Sequence, residues 1–181
     1  MTEDLLTVNA WSRPGSHLRQ VTAIVVHWFG APGQLATQVR DYWEARKDGQ
    51  NGWGSAHIAI DDRQTILAIP LNEIAYHVGA EDYTEFALKE IGQYPNAHAI
   101  GVELAHHDWG GEPTPDVWLK TVSTLAYLCD RFGLPEGKIV THWDVTGMRP
   151  YWKHPCHRWF VQHPGELARL RAAVRKERGL R

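Results

Sequence analysis

The sequence predicts an α/β fold in a single domain, residues 1–181, with a central β-sheet flanked by α-helices. Three observations carry that prediction. Val21–His27 and Ala99–Leu104 are apolar almost throughout and rich in β-branched residues, which marks buried strands rather than half-exposed ones. Longer stretches with apolar residues at helical spacing, such as Val117 to Phe132, lie between the strand-like runs. At 181 residues the chain is long enough for one real core and too short for two comfortable ones.

Composition narrows the function classes. The apolar fraction of 43% and the charged fraction of 22% are those of a globular protein. Nine tryptophans and eleven histidines are the outliers. A net charge of -2 gives no basic field, so nucleic acid is not an expected partner. No apolar run approaches the length of a membrane span, so none is expected. The opening MTEDLLTVNAW has neither a positive n-region nor an apolar h-region, which argues against a secretory signal and for cytoplasmic synthesis. Two cysteines, Cys129 and Cys156, do not make a disulfide framework. A monomer is the default expectation.

Taken in order, Val21–His27 ends on His27-Trp28-Phe29-Gly30. This sets His27 at the C-terminal edge of a strand, where α/β sheets gather their chemistry; a core histidine bonded to a carbonyl is the plain alternative. Leu35, Val39 and Trp43 recur at helical spacing, predicting a helix from about Gln34 to Lys47 closed by Gly49. Ser55–Ile60 and Thr65–Ile69 form a hairpin across Asp61–Gln64, and alternation puts His57 on one face with Ser55 and Ala59. His77, in the irregular Tyr76-His77-Val78-Gly79, faces either a cleft or a backbone carbonyl. Thr84 caps a short helix running to Ile91.

Glu103 interrupts the apolar Ala99–Leu104. A carboxylate there is costly unless it is paired, hydrogen-bonded or facing a wet cavity. Either it reaches solvent at the strand end, or it is a general base whose pKa burial has raised. Thr114-Pro115-Asp116 starts the longest helix, which ends at Gly133. Lys138–Thr141 is a short strand delivering His142. Residues 161–181 carry a basic C-terminal helix, Glu166 to Arg178, whose charges read as a solvated face.

The stretch Thr141–Phe160 holds three histidines, a cysteine, a lysine and three tryptophans in twenty residues. Its His142 and Cys156, joined by His27 from the first strand, make a set of two imidazoles and a thiolate. That set suits zinc better than oxygen-preferring cations, and three protein ligands are the usual number at a catalytic zinc. Glu103 is the candidate base for water, and Lys153 the candidate to stabilise charge on a polarised carbonyl oxygen.

The order of several short motifs completes the reading. They are Ser12-Arg13-Pro14-Gly15, Ile24-Val25-Val26-His27-Trp28, Ser55-Ala56-His57, Ala75-Tyr76-His77-Val78-Gly79, Tyr94-Pro95-Asn96, Ile100-Gly101-Val102-Glu103-Leu104 and His142-Trp143-Asp144-Val145-Thr146-Gly147. From Trp11 to Arg158 the chain resembles the zinc-dependent N-acetylmuramoyl-L-alanine amidases of the amidase-2 type, related to peptidoglycan recognition proteins. Its likeness is greatest to the branch found in phage and prophage endolysins.

The resemblance implies a mixed sheet with flanking helices, zinc held by His27, His142 and a cysteine, and Glu103 as catalytic acid or base. Peptidoglycan is the implied substrate, cut at the amide between N-acetylmuramic acid and L-alanine. One departure is visible: Met148–Trp152 separates the Asp-Val-Thr-Gly segment from Lys153, and the family's Cys-Pro pair is here Pro155-Cys156. Cys156 is taken as third ligand and Lys153 as catalytic lysine, with His154 and His157 as alternative ligands. His57 and His77 are expected to line the cleft, touching substrate or orienting the zinc shell, and Trp28, Trp53 and Trp152 to flank a sugar-peptide groove. The rival functions are a non-catalytic peptidoglycan-binding module and a wall-recycling amidase.

Overall fold

The computed structural model describes residues 1–147 and 154–180. Among them six strands form one sheet: β1 (Thr2–Glu3), β2 (Ala23–Trp28), β3 (Ile58–Ile60), β4 (Thr65–Leu67), β5 (Ala99–Leu104) and β6 (Ile139–Thr141), in the order β1-β4-β3-β5-β2-β6. Every pairing is parallel except β3 with β4, so the sheet is mixed. The two longest strands, β2 and β5, lie side by side near one end of that order and are the two whose sequences are apolar almost throughout. The expected hairpin is present but shorter. Asp61 closes it, its Oδ1 accepting from the Arg63 and Gln64 backbone N–H groups at 2.7 and 2.8 Å.

The same carboxylate caps the first helix, α1 (Ala36–Glu44), by accepting from Ala36 N–H at 2.7 Å. A 3-10 turn continues α1 to Asp48 and ends on Gly49 at φ 79°, where a residue without Cβ is favoured. Thr84 caps α2 (Glu85–Glu90), and Thr114 caps α3 (Pro115–Phe132), each hydroxyl accepting from the N–H three residues on. Two short helices that periodicity does not show follow: α4 (His142–Thr146) and α5 (Arg158–Gln162). The tail helix, α6 (Pro164–Glu177), starts two residues before its predicted position.

Alternation along β2 and β5 divides the core. Ile24 and Val26, with Ile100, Val102 and Leu104, point into the larger cluster, which α3 covers with Val117, Leu125 and Leu128 and α6 with Leu167, Leu170 and Val174. Ala23, Val25 and Ala99 point the other way, into a smaller cluster completed by Val78, Ala87, Ile91, Val140 and Val145. That second face carries short side chains and thin cover. By the same period of two, His27 and Glu103 continue it, so the fold puts its titratable groups on the face with room for them.

The basic tail is largely paired within the molecule. Arg178 bonds Asp130 at 2.7 Å and also pairs with Glu136, and Arg169 lies over the Trp118 ring at 4.1 Å. No helix among the described residues is long and apolar enough to cross a membrane.

Candidate metal centre

His27 and Glu103 are Cα partners in the β2–β5 register. Neighbouring strands are about 4.8 Å apart, so the two side chains rise from the sheet next to each other. β6 ends at Thr141 and delivers His142, as the sequence predicts. The residue also opens α4, where a capping box holds it: the Thr141 hydroxyl accepts from Asp144 N–H at 3.2 Å while Asp144 Oδ2 accepts from Thr141 N–H at 2.8 Å. The pattern Thr141-x-x-Asp144 was the available signal. Thr84 Oγ1 then donates to the Asp144 carbonyl at 2.6 Å, tying α4 to the start of α2.

Cys156 is brought in by the same short helix. A helix leaves its first N–H groups without partners inside the helix, and Trp143 N–H donates to the Cys156 carbonyl. The thiol is thereby set beside the imidazoles. His27 Nδ1 lies 3.1 Å from His142 Nδ1 and 3.7 Å from Cys156 Sγ, and one atom from each of the three residues falls within 4.8 Å of the others.

Those separations test the group the sequence implies. Tetrahedral zinc with bonds of about 2.0 Å to nitrogen and 2.3 Å to sulfur puts ligand atoms roughly 3.3–3.6 Å apart. The observed spacings bracket that range. Burial also holds His27 well below the usual imidazole pKa, with the neighbouring His142, His77 and His157 rings adding to the effect, so the ring offers a lone pair at neutral pH. Cys156 is pushed well above the ordinary thiol range by burial, and next by Glu103. The nitrogen and sulfur donors fit a borderline-soft cation.

Glu103 stands outside the donor set. Its residue is partly open, yet Oε2 is closed off and has no hydrogen-bond partner among the described residues. Desolvation raises its pKa to about 8. The enclosed Oε2 has the burial that the raised-pKa reading requires, while the residue as a whole stays partly open at the strand end, as the other reading requires. Lys153 and Trp152 lie outside the described residues.

The remaining predicted residues divide. His57 does not line the cleft: it is 0% exposed, with Nε2 donating to the Glu73 carbonyl and Nδ1 accepting from Gly101 N–H, both at 3.0 Å. β3 begins only at Ile58, so the alternation expected from Ser55 does not govern His57, whose ring meets the β5 backbone instead. Burial lowers its pKa to about 4. His77 takes the carbonyl, its Nε2 lying 3.1 Å from the Ala99 oxygen, and its Nδ1 meets His27 Nε2 at 3.1 Å. His154 and His157 are not in the donor cluster. His157 is fully buried against Phe160 and Trp28, with neither ring nitrogen bonded to a described residue.

Trp28 stacks on His106 with centroids 4.4 Å apart and meets Trp109 and His154 edge-on at 6.1 Å, forming an aromatic wall past the end of β2. The sequence gave no sign of His106, whose ring nitrogens lie 2.6 and 2.9 Å from the Asp108 and Phe29 carbonyls and fix the ring under Trp28. Trp53 is elsewhere, exposed at the rim of a cleft of about 340 Å³ lined by Tyr76, Gly79, Tyr83, Tyr94 and Asn96. A larger hollow of about 510 Å³ lies against α3, between Met1, Leu119 and Tyr127, and its lining has no histidine, cysteine or carboxylate. Size therefore does not mark the site; the donor cluster does.

The family profile described as N-acetylmuramoyl-L-alanine amidase, Amidase_2, matches residues 17–157. The chain belongs to the Amidase_2 family. The matched region takes in His27, Glu103, His142 and Cys156 together. A probable N-acetylmuramoyl-L-alanine amidase of Bacillus licheniformis is 30% identical over 171 residues, 94% of this chain and 46% of that protein. The N-acetylmuramoyl-L-alanine amidase BlyA of Bacillus subtilis is 34% identical over 152 residues, 80% of this chain and 40% of its own length. The chain thus spans less than half of these Amidase_2 relatives. The structure of PlyL superposes with a TM-score of 0.73 over 96% of both chains at 20% identity, which shows a shared fold.

Proposed function

We propose that this protein is a zinc-dependent N-acetylmuramoyl-L-alanine amidase that cuts peptidoglycan between N-acetylmuramic acid and L-alanine, acting as a phage or prophage endolysin. The observation that carries the proposal is the placement of Glu103: a carboxyl with a pKa of about 8, one strand over from a cluster of two imidazoles and a thiol. Family membership supplies the substrate class, since the matching relatives are named as N-acetylmuramoyl-L-alanine amidases.

His27, His142 and Cys156 would hold the zinc. Bound there, the ion supplies Lewis acidity toward the scissile carbonyl and toward water. Glu103 moves the proton. Beside the donor cluster but outside it, the carboxyl would accept a proton from the attacking water and return it to the departing L-alanine amine. Its Oε2 is enclosed, away from bulk water. Trp28, at the end of β2, offers an aromatic surface to the sugar or peptide, and Lys153 is the proposed partner of the carbonyl oxygen.

The test is incubation of purified, zinc-loaded protein with cell walls, followed by assay for new N-terminal alanine. Release that stops on chelation and returns with zinc is expected. Binding to walls without release overturns the proposal in favour of a non-catalytic wall-binding module.

A further inference from the structure

We propose that His77, together with the Ala99 carbonyl, is a positioning residue that dictates which nitrogen of His27 carries the proton and so aims a bare Nδ1 at the donor cluster. The inference rests on the reading of that cluster as a metal site and adds a residue that touches neither metal nor substrate.

The hydrogen bonds set the tautomers one after another, from the sheet inward. A carbonyl oxygen only accepts, so the His77 nitrogen facing Ala99 O at 3.1 Å, Nε2, carries a hydrogen. Both rings are enclosed, His77 at 7% and His27 at 2% exposure, and an imidazole that gives its N–H to a carbonyl from one nitrogen accepts at the other. His77 Nδ1 is therefore a bare acceptor. It faces His27 Nε2 at 3.1 Å, so His27 donates from Nε2. The remaining nitrogen, His27 Nδ1, is left as a lone pair, and this is the atom 3.1 Å from His142 Nδ1 and 3.7 Å from Cys156 Sγ. The opposite tautomer of His27 would set two bare nitrogens against each other in a buried place and point a hydrogen at the cluster.

Such a relay requires a rigid second ring, and His77 is held at three points. Asn96 Oδ1 accepts from the backbone N–H of His77 at 3.1 Å and of Val78 at 2.9 Å. The ring lies on Gly101 of β5, so closely that a Cβ there would be 2.6 Å from Cγ and 2.8 Å from Nδ1. The Ala99 carbonyl fixes the far edge. A histidine that merely filled space would need neither the glycine beneath it nor a polar partner at each nitrogen. Ligating histidines commonly fix their tautomer by donating to a carboxylate, a carbonyl or water; here the donation goes to a second imidazole that a carbonyl has already set.

Two measurements test this, both made without wall substrate. Long-range proton–nitrogen NMR of ¹⁵N-labelled, metal-free protein should show His27 and His77 each protonated at Nε2 and bare at Nδ1. Zinc affinity, read by competition with a chromophoric chelator, should fall about 10–100-fold in His77→Phe, which keeps a ring and removes the acceptor. His77→Asn, whose Oδ1 stands roughly where Nδ1 was, should recover most of the loss. A wild-type His27 protonated at Nδ1 overturns the proposal, as does a folded His77→Phe protein that binds zinc as tightly as wild type. Should His77→Phe fail to fold, the wild-type spectrum decides by itself. A protein that shows the tautomer pattern yet releases no N-terminal alanine fails only as an amidase; one that cleaves with the other tautomer fails only here.

Discussion

His27 and Glu103 are paired residues of adjacent parallel strands, and their side chains share the thinly covered face of the sheet. The pairing keeps the two jobs apart. His27 joins His142 and Cys156 in the donor cluster, whereas Glu103 is beside that cluster and contributes no atom to it. A carboxyl within the set would lend its lone pairs to the metal and lose its use as a base. The spacing of one strand across the sheet is enough to prevent that.

Replacing Glu103 with Gln should therefore separate chemistry from metal binding. Release of N-terminal alanine should fall by about 10²–10⁴-fold, the usual contribution of a positioned general base. Zinc content, measured on the same preparation, should stay at the wild-type level. A variant that kept activity within a few fold would place the base elsewhere.

The same carboxyl gives a pH signature in metal-free protein. In the unfolded chain a glutamate titrates near its ordinary value of 4.5, whereas in the fold Glu103 holds its proton up to about 8. Between those values the folded state binds more protons than the unfolded one, so stability falls as pH rises. His57 acts in the opposite sense, because its fold-depressed value of about 4 makes stability rise with pH, but only below its ordinary value of 6.5. From pH 6.5 to 8 the Glu103 effect remains without that opposition. The melting temperature of metal-free wild type should drop across that interval, and Glu103→Gln should flatten the drop. An unchanged slope in the variant would mean that Glu103 ionises normally.

Cys156→Ser tests the third donor. Zinc at about 100 times its dissociation constant stabilises a protein by roughly 2.7 kcal/mol when it binds only the folded form. Wild type should melt higher as zinc is added, and the serine variant should need far more metal for the same rise. His157→Ala should leave the zinc response intact, since His157 lies outside the cluster. If the two variants exchange behaviour, His157 is the ligand.

How much of this was legible depended on the length of the signal. Ala23–Trp28 and Ala99–Leu104 were readable because buried parallel strands are apolar nearly throughout, and Glu103 stands out against that background. Helix α4 was not, since five residues carry no helical period, and only its Thr141-x-x-Asp144 cap gave a sign of it. His57 misled for another reason. The strand starts one residue after it, at Ile58, so His57 escapes the alternation and its ring bonds the Gly101 and Glu73 backbone. The partnership of His77 with Ala99 joins residues 22 apart, a contact no local pattern reports.

The cap on α4 should prove to be part of the site. Thr141→Val keeps the shape and removes the hydroxyl that accepts from Asp144 N–H and donates to Asp144 Oδ2. Loss of such a cap costs about 0.5–2 kcal/mol. Because His142 is the next residue, zinc affinity should fall along with stability. Thr114→Val breaks the corresponding cap on α3, far along the chain from the donors, and should lower stability with zinc affinity unchanged. Equal zinc binding in both variants would show that α4 does not position His142.

Gly101→Ala sets two effects of opposite sign against each other. Gly101 has no positive φ, so alanine strains no backbone and should gain about 0.5–1 kcal/mol from the reduced freedom of the unfolded chain. Against that, the new methyl would meet His77 Cγ at 2.6 Å, on a ring whose backbone Asn96 holds and whose edge Ala99 holds. Overpacking a site that cannot yield costs about 1–3 kcal/mol, so the steric effect should win and the protein should melt lower. Zinc affinity should fall as well, because the ring that moves is the one bonded to His27. Gly137→Ala, where a Cβ meets nothing within 4 Å, serves as the control and should be neutral or slightly stabilising. A Gly101→Ala protein as stable as wild type would mean that the His77 ring has room to retreat, and with it the rigidity that the arrangement of His27 depends on.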